Sequence, residues 1–158
     1  MSRCLDHSHT PRSSWSATVR DVAFIALGSN LGDRHELLAN ARDALGKLPG
    51  CRIVGQSSIE QTAPVGPVEQ PPFLNQMVAL ETTLAPRDLL SRLLEIENAA
   101  GRTRDVRWGP RTLDLDIVRF ARQTVNDSDL HVPHRELHNR PFWLRELAEL
   151  ESQLEATA

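Results

Sequence analysis

Two carboxylates two residues apart, Asp114 and Asp116, stand in the stretch Leu113-Asp114-Leu115-Asp116-Ile117-Val118, where apolar and acidic residues alternate. In an extended strand both acids leave one face with their Cα atoms about 6.5 to 7 Å apart, and Leu113, Leu115 and Ile117 occupy the other. Such a pair can share a hard divalent cation such as Mg²⁺, or bind one each, with phosphate oxygens and water completing the octahedra. Taken alone, two acids in this pattern are more often the solvated face of an edge strand. Their neighbours change that reading: Arg102, Arg104, Arg107 and Arg111 lie immediately upstream, and a guanidinium fork matches phosphate oxygens two at a time. Metal-binding acids beside phosphate-binding arginines suit nucleotide chemistry, because phosphoryl transfer depends mainly on positioning and charge neutralisation.

Neither GxxxxGK[ST] nor GxGxxG occurs, so a bound triphosphate would be held by metal and side chains instead of a glycine cradle. Gly28-Ser29-Asn30-Leu31-Gly32 reads as a turn capping a following helix. His131, His134 and His138 have spacings that could serve zinc on one helix face, but Pro133 disfavours helix at Val132 and no cysteine is near, so a single histidine donating to a phosphate is the better expectation. Phe73, Trp108, Phe142 and Trp143 are core candidates by default. They could equally form a stacking slot for a flat heterocycle, with Asn75 reading its edge.

Whatever positions these groups must fit in one domain, since 158 residues suffice for one hydrophobic core. Apolar residues make up 40% and charged residues 25%, which excludes wholesale disorder. The longest apolar run, Val22 to Leu27, is too short to cross a membrane. A formal charge of −3 disfavours nucleic acid as partner at chain level. Half of the 18 basic residues nevertheless fall between Arg102 and Arg145, against six acids there, so a small phosphorylated ligand is expected. Cys4 and Cys51 form no CxxC, and a reducing, cytoplasmic setting follows.

Residues 1 to 20 lack apolar periodicity and read as a mobile tail, leaving 21 to 158 as the folded domain. The run Val22 to Leu27 fits a strand buried on both faces. Leu37, Leu38, Ala41, Ala44, Leu45 and Leu48 recur at helical spacing, and Arg52 to Ile59 forms a second strand. A Pro- and Gly-rich loop from Thr62 to Pro72 follows, long enough to bind something. Phe73 to Leu84 is a strand, Pro86 opens a helix ended by Gly101, Leu113 to Val118 is the last strand, and Phe142 to Leu154 a short terminal helix. The order strand, helix, strand, strand, helix, strand predicts a ferredoxin-like α+β sandwich, βαββαβ, with helices on one sheet face and long ligand-binding loops.

Several segments also resemble, in order, the 6-hydroxymethyl-7,8-dihydropterin pyrophosphokinase family of folate-biosynthesis enzymes. They are Phe24-Ile25-Ala26-Leu27-Gly28-Ser29-Asn30-Leu31-Gly32-Asp33, Thr62-Ala63-Pro64-Val65-Gly66-Pro67, Phe73-Leu74-Asn75, Gly101-Arg102-Thr103-Arg104 and, most specifically, Arg107-Trp108-Gly109-Pro110-Arg111-Thr112-Leu113-Asp114-Leu115-Asp116-Ile117-Val118. Val132-Pro133-His134 and Asn139-Arg140-Pro141-Phe142 continue a likeness that spans roughly residues 22 to 150. The resemblance implies a ferredoxin-like fold and transfer of pyrophosphate from ATP to the hydroxymethyl group of a reduced pterin, releasing AMP. It implies that Asp114 and Asp116 hold two Mg²⁺ ions, and that Arg102, Arg104, Arg111, His134 and Arg140 contact ATP, with Glu97, Trp108 and Ile117 near the nucleotide. The pterin would lie between Phe73 and Phe142, its edge read by Asn75 and by groups around Thr62 and Val65. Arg102 and Arg111 join the two acids as the catalytic set, and a monomer acting on ATP and a reduced pterin is expected.

Leu94, Asp129 and Arg135 depart from the family pattern. A catalytically silent ferredoxin-like module that binds a nucleotide or a protein is the alternative, disfavoured because it has no need of all four of Asp114, Asp116, Arg102 and Arg111. A sheet-face RNA binder would want exposed aromatics on the central strands. The loop from Arg102 to Arg111 carries four arginines and one acid, and is expected to order only over bound nucleotide.

Overall fold

The structure, a computed structural model, describes residues 20 to 64, 66 to 101 and 112 to 157. Its main elements are strand β1 (Asp21–Ser29), helix α1 (Arg34–Lys47), strands β2 (Cys51–Gln56), β3 (Glu60–Thr62) and β4 (Phe73–Thr82), helix α2 (Pro86–Ala99), strand β5 (Asp114–Phe120), a small hairpin of β6 (Val125–Asn126) and β7 (His131–Val132), and helix α3 (Pro141–Ala156). A 3₁₀ turn at Leu137–Asn139 leads into α3. The sheet order is β2-β4-β1-β5, with β3 pairing β4 beyond the end of β2, and every pairing is antiparallel. This is the split βαβ arrangement expected from the order of elements.

The two crossover helices lie together on one face. Leu38, Ala41 and Leu45 of α1 and Leu89 and Leu93 of α2 pack on Ala23, Ile25 and Leu27 of β1 and on Leu113, Leu115 and Ile117. The expectation of helices on one face only is corrected by α3, whose Trp143, Leu147 and Leu150 cover Phe24 and Ala26 on the opposite face. The β1 sequence demands this: an unbroken apolar run puts large side chains on both faces, and each face must be kept from water. At 16 residues α3 is also no short appendage. Phe24 is 4% exposed beneath it, which removes the free aromatic sheet face that an RNA binder needs.

Local chemistry sets the element boundaries. Asp33 caps α1 by accepting a hydrogen bond from the Glu36 amide at 3.1 Å. Pro86 and Pro141 occupy first-turn positions of α2 and α3, where the missing N–H costs nothing. In β5 the register against β1 shifts between Phe24 and Ile25, so that Val118 is an extra residue on the β5 side. The bulge reverses the alternation beyond it. Arg119 thus turns to the α3 face, its guanidinium 4.6 Å from the centre of the Phe24 ring and bonded to Glu151 of α3, while Phe120 enters the other core.

Candidate active site

The cavity floor is a row of three residues on three adjacent strands. Gly28 of β1 pairs with Asn75 of β4 on one side and with Asp114 of β5 on the other. Above them a cavity of about 130 Å³ is lined by Thr62, Ala63, Gln70 and Phe73 on one side and by Asp114, Asp116, Arg140, Phe142 and Trp143 on the other. Asn75 is 7% exposed, and its amide nitrogen donates to the Thr62 hydroxyl at 2.5 Å, which fixes the direction of the carboxamide. Phe142 meets Trp143 edge-on, with ring centres 6.2 Å apart, and the Arg140 guanidinium stacks 4.4 Å from the Trp143 ring.

Glycine at position 28 is a matter of room. A Cβ there would stand 3.3 Å from the Asn75 carboxamide oxygen, 3.7 Å from the Phe73 ring and 4.0 Å from the Asp114 Cβ. Gly28→Ala should therefore push the Asn75 amide out of line and raise the KM for the cavity's ligand roughly 10-fold, a strain of about 1 to 2 kcal/mol, while thermal stability changes little. Steady-state kinetics with a melting curve in parallel measure both.

Asn30, read from the sequence only as part of a turn, has a larger task. It is 2% exposed and its amide nitrogen donates to Gln70 Oε1 at 2.8 Å and to the Pro71 carbonyl at 2.9 Å. One turn on, Arg34 donates to Gln61 and to the Pro72 carbonyl. The β1 to α1 turn thereby pins the proline-rich loop that forms one wall of the cavity. Such contacts between residues some 40 apart leave no periodic trace in a sequence.

Asp116 lines two spaces at once: the cavity described above, and a second cleft of about 330 Å³ formed with Leu90, Ile117, Leu130, His131, His134 and Arg135. Both acids face the α3 side and are partly exposed, as the alternation predicts, while Leu115 between them is buried. Glu97, 2% exposed at the end of α2, accepts a 2.8 Å hydrogen bond from the Leu115 amide and so holds the backbone between the two acids. His134 Nδ1 accepts from the Glu136 amide at 3.0 Å. The ring proton of a neutral His134 consequently sits on Nε2, 3.7 Å from Asp116 Oδ1 and at the cleft. At the rim Arg87 of α2 grips Asp127 and Asp129 beyond β6, and its hydrogen bond holds the Asp129 carboxyl below the usual range.

The residues named from sequence thus fall into groups. Thr62, Phe73, Asn75, Phe142, Arg140, Asp114 and Asp116 line the first cavity; Ile117 and His134 line the second cleft with Asp116. Glu97 is placed behind the site, on the strand backbone. Val65 of the proline-rich loop lies outside the described residues, as do Arg102, Arg104, Trp108 and Arg111 with the loop expected to order over nucleotide, and residues 1 to 19 of the N-terminal tail. Gly28 and Asn30 are site-building residues that sequence reasoning left as part of a turn; Trp143, expected either in the core or in a stacking slot, is 2% exposed and lines the first cavity.

Comparison with known proteins decides the family. The sequence model of the family described as 7,8-dihydro-6-hydroxymethylpterin-pyrophosphokinase (HPPK) matches residues 24–152. The chain belongs to that family. Among its relatives, the 2-amino-4-hydroxy-6-hydroxymethyldihydropteridine pyrophosphokinase of Pseudomonas aeruginosa is 47% identical over 131 residues, covering 83% of this chain and 81% of that one. The protein of the same name from Bacillus subtilis is 45% identical over 140 residues, covering 89% and 84%. Solved HPPK-DHPS structures share the fold: one described as in complex with substrates superposes with a TM-score of 0.63 at 14% identity over 85% of this chain and 41% of that one. Wild-type Plasmodium falciparum HPPK-DHPS with pterin and p-hydroxybenzoate gives 0.59 at 14% identity over 80% and 38%. This chain therefore spans about two fifths of those longer proteins. For this pyrophosphokinase-family chain the matched span holds both clefts and the junction at Asp116.

Proposed function

We propose that this chain transfers pyrophosphate from ATP to the hydroxymethyl group of 6-hydroxymethyl-7,8-dihydropterin, releasing AMP, in folate biosynthesis, and that it does so where its two clefts meet. The observation that carries the site assignment is Asp116, the acidic side chain common to both spaces. The cavity with Phe73, Phe142 and Asn75 suits a flat heterocycle: two half-buried rings for its faces and a fixed carboxamide for its edge. The cleft with Leu90, Ile117 and Leu130 at its base and His134 and Arg135 at its rim suits a nucleoside with its phosphates directed to Asp116.

Asp114 and Asp116 fit Mg²⁺ by donor chemistry, being hard carboxylate oxygens on one strand face, partly open to solvent and backed by a held backbone. Bound there, Mg²⁺ would neutralise charge on the triphosphate oxygens. Arg140 and His134 bring further positive or donating groups toward the junction, and Arg102, Arg104 and Arg111 are proposed to contact the phosphates, with Trp108 over the nucleotide. Phe142 and Trp143 keep water from the pterin side, and Asn75 orients the ring so that its hydroxymethyl group faces the acids. No described side chain near the junction is set up as a strong base, so positioning and charge neutralisation carry the rate.

Incubation of the protein with Mg²⁺, ATP and 6-hydroxymethyl-7,8-dihydropterin tests this. One AMP should appear per pterin consumed. ADP as the nucleotide product, or nucleotide turnover indifferent to pterin, would overturn the reading.

A further inference from the structure

The α3 helix carries four carboxyl groups, none of which the site uses, and one of them is buried. Glu146 is 3% exposed, and neither of its oxygens has a hydrogen-bond partner among the described residues. A buried, unpaired carboxylate is costly, so such a group stays neutral unless something compensates it. Little does. Glu60 of β3 and Glu149 of α3 add negative charge around it, and among the described residues the one nearby cation, Arg145, is already paired with Glu60 at 3.1 Å. From β4, the strand most in contact with α3, this face presents Asn75, Met77 and Ala79, none of them ionisable, and β2 presents Val54. Burial first, and the two neighbouring acids second, push the Glu146 carboxyl up to about 8.

Position gives this proton a consequence. Glu146 lies three and four residues after Trp143 and Phe142, so all three share one helix face. Opposite them, Glu60 pairs in register with Asn75, and Thr62 with Phe73. One turn of α3 therefore faces the cavity while the next holds Glu146 against the strand pair that makes the cavity's other wall. Beyond it α3 is fastened by Glu149, which accepts from the Ser58 amide and hydroxyl at 2.9 and 3.0 Å, and by Gln153, which bonds the Gln56 amide and carbonyl.

We propose that Glu146 is a proton-dependent positioning residue for the pterin cavity: neutral, it lets the first turns of α3 seat against β3, and ionised, it drives Phe142 and Trp143 away from Thr62 and Asn75. The far end of the helix, held at Ser58 and Gln56, acts as the pivot. Pterin affinity then falls as pH rises through about 8, and nucleotide affinity, set in the other cleft, does not follow. The sign for stability is the same: a carboxyl whose folded value lies above its unfolded value contributes stability that is full below about 4.5 and is lost as pH rises to about 8.

The pterin part rests on the function proposed above, and the experiment separates the two. Calorimetric titration of 6-hydroxymethyl-7,8-dihydropterin into the protein saturated with Mg²⁺ and a non-hydrolysable ATP analogue, from pH 6 to 9, is run for wild type and Glu146→Gln, with melting curves at each pH. Wild type should lose pterin affinity at least 5-fold more than Glu146→Gln between pH 7 and 9, with the analogue's affinity running parallel in both. The melting-temperature gap in favour of the glutamine variant should widen from pH 6 to about 8 and then stay level. Glu60→Gln, which removes the opposing charge and frees Arg145, should move the wild-type break to lower pH. Pterin binding with parallel pH curves in wild type and Glu146→Gln, or an unmoved break in Glu60→Gln, would overturn the role of Glu146 alone. No pterin binding by any of the three at any pH would overturn the function itself, and the inference with it.

Discussion

Asp114→Asn and Asp116→Asn should each lower kcat with 6-hydroxymethyl-7,8-dihydropterin and Mg²⁺-ATP by about 10³-fold or more while leaving the protein folded. Asparagine keeps the shape of the side chain and one oxygen but loses the charge that makes a carboxylate a ligand for a hard cation. The strand beneath would hardly notice. Leu113, Leu115 and Ile117 are buried on the opposite face, the Leu115 amide is held by Glu97, and both acids are partly exposed, where substitutions usually change stability by only about 0.5 kcal/mol. Removing Mg²⁺ with a chelator should give the same loss in wild type. Steady-state rates, with circular dichroism melts of each variant, check this; a variant that turns over normally at millimolar Mg²⁺ would show that its carboxylate is not part of the site.

Asn75→Ala should raise the pterin dissociation constant by about 5- to 150-fold, the equivalent of about 1 to 3 kcal/mol for a buried polar edge left unpaired, and change that of ATP less than about 2-fold. The asymmetry comes from the architecture. Asn75 lines the first cavity, locked on Thr62, whereas the second cleft is built from α2, β5, β7 and the segment after it. Separate calorimetric titrations of the two ligands measure it. Equal losses for both would mean that Asn75 holds β4 and β3 in register and does not read the ligand.

The parts of this fold legible in the sequence were those set by local pattern. The alternation around Asp114 and Asp116 placed both acids on one strand face, and the run from Val22 to Leu27 marked a strand covered on both sides. That run calls for cover on its second face, but nothing in the local pattern assigns α3 to it. Its Trp143, Leu147 and Leu150 show helical spacing but not which sheet face they seek. The Val118 bulge was not legible either, because one extra residue in β5 shows only against the β1 register. The same holds for Asn30 reaching Gln70 and Pro71 and for Glu97 reaching Leu115, contacts made across loops and crossovers. Family motifs named Asn75, Asp114 and Phe142 in three separate places; what the fold adds is that Gly28 separates the first two and that Asp116 joins the two clefts.

That junction is the centre of the account, and anomalous diffraction tests it most directly. Crystals grown with Mn²⁺ in place of Mg²⁺, a non-hydrolysable ATP analogue and 6-hydroxymethyl-7,8-dihydropterin should show manganese peaks at the carboxylates of Asp114 and Asp116, with the phosphates entering from the Ile117 and His134 side and the pterin between Phe73 and Phe142. Manganese and triphosphate bound away from these two acids, or a pterin outside the cavity above Gly28, would contradict it.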